Sequence, residues 1–388
     1  MNRNLFGAAV LGGLLLCSSV LAATSQVPEP FQGSDETSNY AISYQNLDAI
    51  LDALVVDIGR SDREKAPPVE QITGTRLKAK VNRWTVNEGN RFYFEAFVDN
   101  ETARLQLEEI KTGIENATSQ VSLDRFSRDE QLAYWLNLYN VTILNEIVKV
   151  YPQEDLEKFL YGKDSILDKK LLVVEGVPLS LNDIQYTILK QNYDANPLVI
   201  YGLYQGIIGG PNIRKSAYTG KTVHDALADN AVIFINSNRG TATKNAKKFR
   251  VSSFYERNEA FFPNFDADLT AHLSQYLEGN ELAALKTAST LVTDIDDWTV
   301  TDLGGSRREF GGSLANSSAG MMGAVQGGSS GNFGGMAAPA AAGSSASINR
   351  AIADKVQEQT KEATEDDGEA SDDDEASGDS DSSSGNGE

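Results

Sequence analysis

The sequence predicts an α+β fold: a single helix-rich domain with a few short strands and a hairpin, flanked by a signal peptide and a disordered tail. Three observations carry this prediction. Apolar residues recur at helical spacing in several long segments, the β-rich runs are short and few, and both ends depart from globular composition. Helices do not alternate regularly with strands, which favours α+β over a parallel α/β sheet. The hydrophobic fraction of 40% and the charged fraction of 23% are ordinary for a globular chain of 388 residues, so a core can be buried. The domain is expected over residues 38–302.

The elements follow in chain order. Leu47, Ile50, Leu51, Leu54, Val55 and Ile58 predict an amphipathic helix over Ser43–Ile58, closed by Gly59. Asn90–Val98 is aromatic-rich and fits either a helix or an extended run. Leu105, Leu107 and Ile110 predict a helix over Glu101–Ile114. Asp129–Tyr151 gives the clearest helix, with Leu132, Trp135, Leu136, Tyr139, Ile143, Ile147 and Val150 on one face. Leu138, Val141, Leu144 and Val148 widen that face, and a helix apolar nearly all round is buried. Two β-rich runs within Lys170–Leu181 flank Glu175-Gly176 and predict a hairpin. Asn182 with Gln185 three positions later reads as a capping-box variant opening a helix over Asp183–Gln191. Further helices are expected at Val223–Ile235, Glu256–Phe262 and Asp268–Leu277, and a strand at Phe249–Phe254. Ile295-Asp296-Asp297-Trp298 closes the ordered region.

The ends are a different material. Leu5 to Ala23 carries no charge, follows Arg3 and ends in small residues, as an export signal does. Residues 1–23 are therefore expected to be cleaved, sending the chain to the periplasm or cell exterior; the alternative is an uncleaved membrane anchor. Cys17, the one cysteine, falls inside this segment, so the mature chain would be cysteine-free, with neither thiolate nor disulfide. Residues 303–350 are rich in Gly, Ser and Ala and read as a flexible linker. Residues 351–388 carry 14 acids against 2 lysines, more than half of the chain's net charge of −21. A disordered solubilising tail is expected there, with weak divalent-cation association or a basic partner as the alternative. The acidic balance argues against nucleic-acid binding.

Several polar residues fall where chemistry is conceivable. Asn137 and Asn140 lie three apart in the apolar helix, where a buried amide must be hydrogen-bonded. The expectation is that they tie down loop backbone; the alternative is that one reaches a pocket. Tyr201 to Arg214 holds the densest glycine cluster of the folded part, including Gly206, Gly209 and Gly210. Loop amides with Arg214 would form an anion site; tight packing of a turn explains the same glycines. The loop is no P-loop, since a Gly-Lys-Ser/Thr ending is missing. His224 and His272 are expected at the surface. No metal site and no cofactor is expected.

Gln131-Leu132-Ala133-Tyr134-Trp135-Leu136-Asn137-Leu138-Tyr139-Asn140 resembles the Ala-Phe-Trp-Ile-Asn-Leu-Tyr-Asn signature of domain-of-unknown-function family 547. Leu179 to Tyr186 resembles that family's Leu-Ser-Leu-Asp-Asp-Ile-Glu-His segment, and Phe249 to Tyr255 its later Phe-x-x-Ser-x-x-Phe stretch. Gly209-Gly210-Pro211 stands where many members read Ser-Cys-Pro, and Asp297-Trp298 resembles a closing Tyr-Asp-Trp. The resemblance covers roughly Phe126 to Trp298. It implies no settled activity. Many members hold Cys and His at positions suited to thiol chemistry; here Gln185 and Tyr186 replace Glu-His, Ile200 replaces a His, and Gln205 and Gly210 replace two cysteines.

Two functions are therefore expected in competition. The first is an exported, envelope-associated domain that binds a ligand or an envelope protein at the glycine-rich loop beside Asn137. The second is a non-thiol hydrolase, with Asn137, Asn140, Asp183, Tyr186 and Gln205 lining its site. A structural role with a cation-holding tail is a third possibility.

Overall fold

The computed structural model describes residues 26–67 and 82–303. The expected export signal lies outside them, as do the linker and the acidic tail apart from Leu303. The helices are α1 (Gln45–Leu54), α2 (Glu101–Glu115), α3 (Arg128–Val150), α4 (Glu157–Tyr161), α5 (Lys190–Asn192), α6 (Val223–Ile235), α7 (Ser253–Arg257), α8 (Phe265–Tyr276) and α9 (Gly279–Thr287). The strands form three small sheets. β1 (Val55–Val56) pairs antiparallel with β2 (Arg91–Phe92), and β3 (Leu172–Val174) with β4 (Val177–Leu179). In the third sheet, β5 (Thr241–Asn245) runs antiparallel to β6 (Lys248–Ser252), which runs parallel to β7 (Thr290–Ile295). Helices α7 to α9 make the crossover that a parallel pair requires. This is the helix-rich α+β domain that the sequence predicts.

The architecture is built around α3. Ser127 caps it, its side chain accepting from the Glu130 N–H at 3.3 Å. Trp135, Leu136, Tyr139, Ile143 and Leu144 are wholly buried. Helices α2 and α6 and the helical turn at Asp183–Leu189 pack against it. The core also reaches ahead of residue 38, where Phe31 meets Trp135 edge-on at 5.0 Å. Among the described residues, no helix is long and apolar enough to cross a membrane.

Several expected elements differ in detail, among them the strand expected over Phe249–Phe254, which ends at Ser252 where α7 begins. The first helix stops at Leu54 rather than Ile58, because the β-branched pair Val55-Val56 turns extended and bonds to β2. The helix after the hairpin is capped by Ser180, not Asn182. The Asp183 N–H donates to Ser180 Oγ at 3.1 Å, and Asp183 Oδ2 accepts from the Ser180 N–H at 2.6 Å, a reciprocal capping box two residues earlier than expected. Its body, Asp183–Leu189, is a π-helix continued by α5. Strand β7 and helix α9 are additional to the predicted elements.

Candidate functional site

Asn137 and Asn140 act as paired backbone clamps. Asn137 Nδ2 donates to the Tyr218 carbonyl at 2.8 Å, and its Oδ1 accepts from the Tyr218 N–H at 2.9 Å. One turn along, Asn140 Nδ2 donates to the Gly202 carbonyl and Oδ1 accepts from the Tyr204 N–H, both at 2.9 Å. Each amide is clamped by backbone from the segment that follows the π-helix.

The glycine loop does not form the anion site considered from sequence. The Gly209 N–H donates to the Asp297 carbonyl at 2.8 Å, and the Gly210 N–H to the Ile207 carbonyl at 3.1 Å. Residues 297–301 lie along this loop as a strap: Ile208 N–H reaches the Thr299 carbonyl, and Thr301 N–H the Gly206 carbonyl, both at 2.9 Å. A Cβ at Gly209 would stand 2.7 Å from the Asp297 carbonyl oxygen, so only glycine permits this approach. Arg214 donates to the Ala226 carbonyl at 3.1 Å and lies over the Tyr218 ring.

What the loop offers inward is carbonyl oxygen, and the group it holds is a cation. Arg239, 1% exposed, donates through Nη1 to Ile208 O (3.3 Å) and Gly210 O (2.8 Å), and through Nη2 to Asn212 Oδ1 (2.6 Å). Burial lowers its pKa to about 10, against the favourable fields of Glu88 and Asp297. The polarity is the reverse of an anion nest. Arg239 is not among the residues singled out by sequence, and its role depends on the loop that packs onto it.

A second group of side chains gathers where the resemblance places the replaced His and Cys positions. The π-helix supplies Gln185 and Tyr186. Gln185 Nε2 donates to Asn258 Oδ1 at 2.6 Å, and the Tyr186 hydroxyl to the Arg257 carbonyl at 2.9 Å. Together they hold the end of α7 and thereby set Arg257. The Arg257 guanidinium lies over two rings, 4.5 Å from the Trp298 centroid and 5.1 Å from that of Tyr161. Its Nη1 donates to Ser253 Oγ at 2.5 Å and lies 3.6 Å from the Asp296 carboxylate. Gln205, 1% exposed, donates to the Tyr161 hydroxyl at 2.6 Å. Tyr161 itself keeps 38% of its surface in solvent, while its hydroxyl is buried against Gln205 and Arg257.

Three polar atoms in this group are buried without a hydrogen-bond partner among the described residues: Gln205 Oε1, Arg257 Nε and the Tyr139 hydroxyl. Such orphans are costly and need an explanation. Burial raises the Tyr139 pKa well above the ordinary tyrosine value, and Tyr161 and Tyr186 add to the rise. Burial also raises Tyr161, opposed by Arg257 and Gln205. None of these phenols ionises at neutral pH. π-helical turns recur at functional sites, and here one carries two of the residues.

The cluster has binding groups and one hydroxyl–carboxylate contact, Ser253 Oγ donating to the Asp296 carboxylate. His224 is exposed and pairs with Asp129 at 2.8 Å. His272 is not at the surface as expected: it is 7% exposed, stacks on Tyr201 and lies 2.9 Å from the Tyr201 hydroxyl. Neither imidazole belongs to the cluster, so no histidine there serves Ser253 as a base. Asp183 is occupied by its helix cap and by Lys170. Burial would raise its pKa, but Lys170 and Ser180 outweigh that and hold it below the ordinary carboxylate value. Among the described residues no group of three or more His, Asp or Glu side chains is placed to hold a metal ion.

Of the eight residues singled out by sequence, the structure thus brings Tyr186 and Gln205 into one cluster and gives the others backbone or capping roles. Sequence reasoning missed Tyr139, Tyr161 and Arg257, whose positions around Gln205 depend on tertiary packing. Residues 123–235 match the family described as "Protein of unknown function, DUF547", over the stretch that holds α3, the hairpin, the π-helix and the glycine loop. No curated protein and no solved structure matches the chain.

Proposed function

We propose that this chain, whose residues 123–235 form a DUF547 segment, is an exported, envelope-associated binding protein without thiol chemistry. Its ligand is taken up at Gln205, Tyr161 and Arg257, not at the Gly209, Gly210 and Arg214 end of the glycine loop. The observation that carries this reading is the convergence of three orphaned polar atoms beside a guanidinium lying over two aromatic rings. Gln205 Oε1 and Arg257 Nε are closed to solvent, so a ligand reaches them as the partly exposed Tyr161 side chain moves aside, and hydrogen-bonding them then removes an unmet desolvation cost. Export is supported by the charge-free apolar run from Leu5 to Ala23.

The hydrolase reading has less support. It needs a base or nucleophile with a shifted pKa at the site, and Asp183 is shifted the wrong way for a general acid or base near neutral pH. The test is a thermal-shift screen of the full chain with divalent metals, nucleotides, sugars, peptides and cell-wall fragments. A stabilising compound should lose its effect in Gln205→Leu. No stabilisation across the panel, or turnover that disappears in Asp183→Asn, would overturn the binding reading.

A further inference from the structure

A cleft of about 450 Å³ opens between residues 82–85, the start of β5 and the end of β7. It borders the Arg257 cluster through Asp296, which lines the cleft and faces Arg257. Its volume is within the range of small-ligand sites. At its edge stands Trp84, 50% exposed, with the Lys65 ammonium over its ring at 5.1 Å from the centroid. The position of Trp84 is held from both sides: its N–H donates to Asn82 Oδ1 at 3.2 Å, and its carbonyl accepts from Asn238 Nδ2 at 3.1 Å. The ring is thus presented on fixed backbone.

The rest of the lining is polar, and its charges are already matched. Two guanidiniums, Arg63 and Arg250, face three carboxylates, Glu281, Asp294 and Asp296. Arg250 pairs with Asp294 at 2.6 Å. Arg63 donates to the carbonyls of Ile235 and Thr241 at the end of α6. Glu281 accepts from the Thr243 hydroxyl at 2.5 Å. Lys244 also reaches Asp294 at 3.1 Å and Arg257 faces Asp296, so each charge in the lining is already held within the protein and none is left over for a phosphate or carboxylate ligand. The absence of a large apolar lining removes a greasy ligand in the same way.

We propose that this cleft binds a neutral, polyhydroxylated ligand, an oligosaccharide in class. The negative face of an indole attracts the weakly positive C–H edge of a sugar ring. Amides, carboxylates and hydroxyls then offer both donors and acceptors to the hydroxyl groups. Trp84 is the platform, and Asn82, Asp294 and Asp296 are the polar partners. The site adjoins the Arg257 cluster at Asp296, and Gln205 is not part of its lining.

The experiment is isothermal titration of the full chain with cellohexaose, maltohexaose and chitohexaose, with ATP and inorganic phosphate as charged controls. At least one neutral hexaose should bind. Its affinity should fall about tenfold in Trp84→Ala, be partly restored in Trp84→Phe, and stay unchanged in Gln205→Leu. Circular dichroism of Trp84→Ala should match the parent, because the side chain is half in solvent. Binding of none of the three sugars, an unchanged affinity in Trp84→Ala, or competition by phosphate would each overturn the proposal.

Discussion

Burial keeps His272 neutral in the folded chain, lowering its pKa from 6.5 to about 4. The unfolded chain therefore binds the extra proton first as pH falls. Stability linked to this residue is full above pH 6.5 and is lost as pH drops to 4, by about 3 kcal/mol. Denaturant melts at pH 7 and pH 4.5 should show a smaller acid loss in His272→Gln than in the parent chain. Asn137→Ala should cost roughly 2–4 kcal/mol at any of these pH values, because both Tyr218 backbone groups lose their partner. The Asn roles were legible in sequence, since a buried amide in an apolar helix must be satisfied. The burial of His272 was also legible, though missed: Leu269, His272, Leu273 and Tyr276 fall on one helical stripe of α8.

At the scale of elements, periodicity located the helices well and their ends less well. Helix α6 lies over Val223–Ile235 as its apolar pattern predicts. The hairpin was readable because Glu175 and Gly176 both take positive φ, at 48° and 80°, as a tight two-residue turn requires. The π-helix was not readable, because its geometry answers to packing against α3 and α7 and has no composition of its own. Its start depends on the reciprocal cap of Ser180 and Asp183. Ser180→Ala should therefore lower stability by about 1 kcal/mol in equilibrium denaturation. If Gln185 and Tyr186 position Arg257 from this turn, ligand affinity should fall in Gln185→Leu while Ser180→Ala leaves it nearly intact.

Across the whole molecule, what escapes sequence is the meeting of distant segments. Nothing local marks residues 297–301 as the strap over the glycine loop some ninety positions earlier, or Arg239 as the cation beneath it. The loop's glycines were visible, and packing, one of their two readings, is the one the fold adopts. Gly209→Ala should accordingly cost about 1–3 kcal/mol by pressing a methyl group into the Asp297 backbone. Arg239→Met should cost about 3 kcal/mol by orphaning the Ile208 and Gly210 carbonyls. Both effects read out in melting, and neither requires a ligand. Binding, in this account, belongs to the other side of the strap, where Trp298 and Arg257 meet Gln205 and Tyr161. The most direct test is to measure one stabilising compound against Arg214→Ala and Arg257→Gln side by side. At 100 times its Kd, the compound should stabilise the parent chain and Arg214→Ala by about 2.7 kcal/mol. It should leave Arg257→Gln unshifted. Stabilisation kept in Arg257→Gln and lost in Arg214→Ala would return the site to the glycine loop and contradict the account.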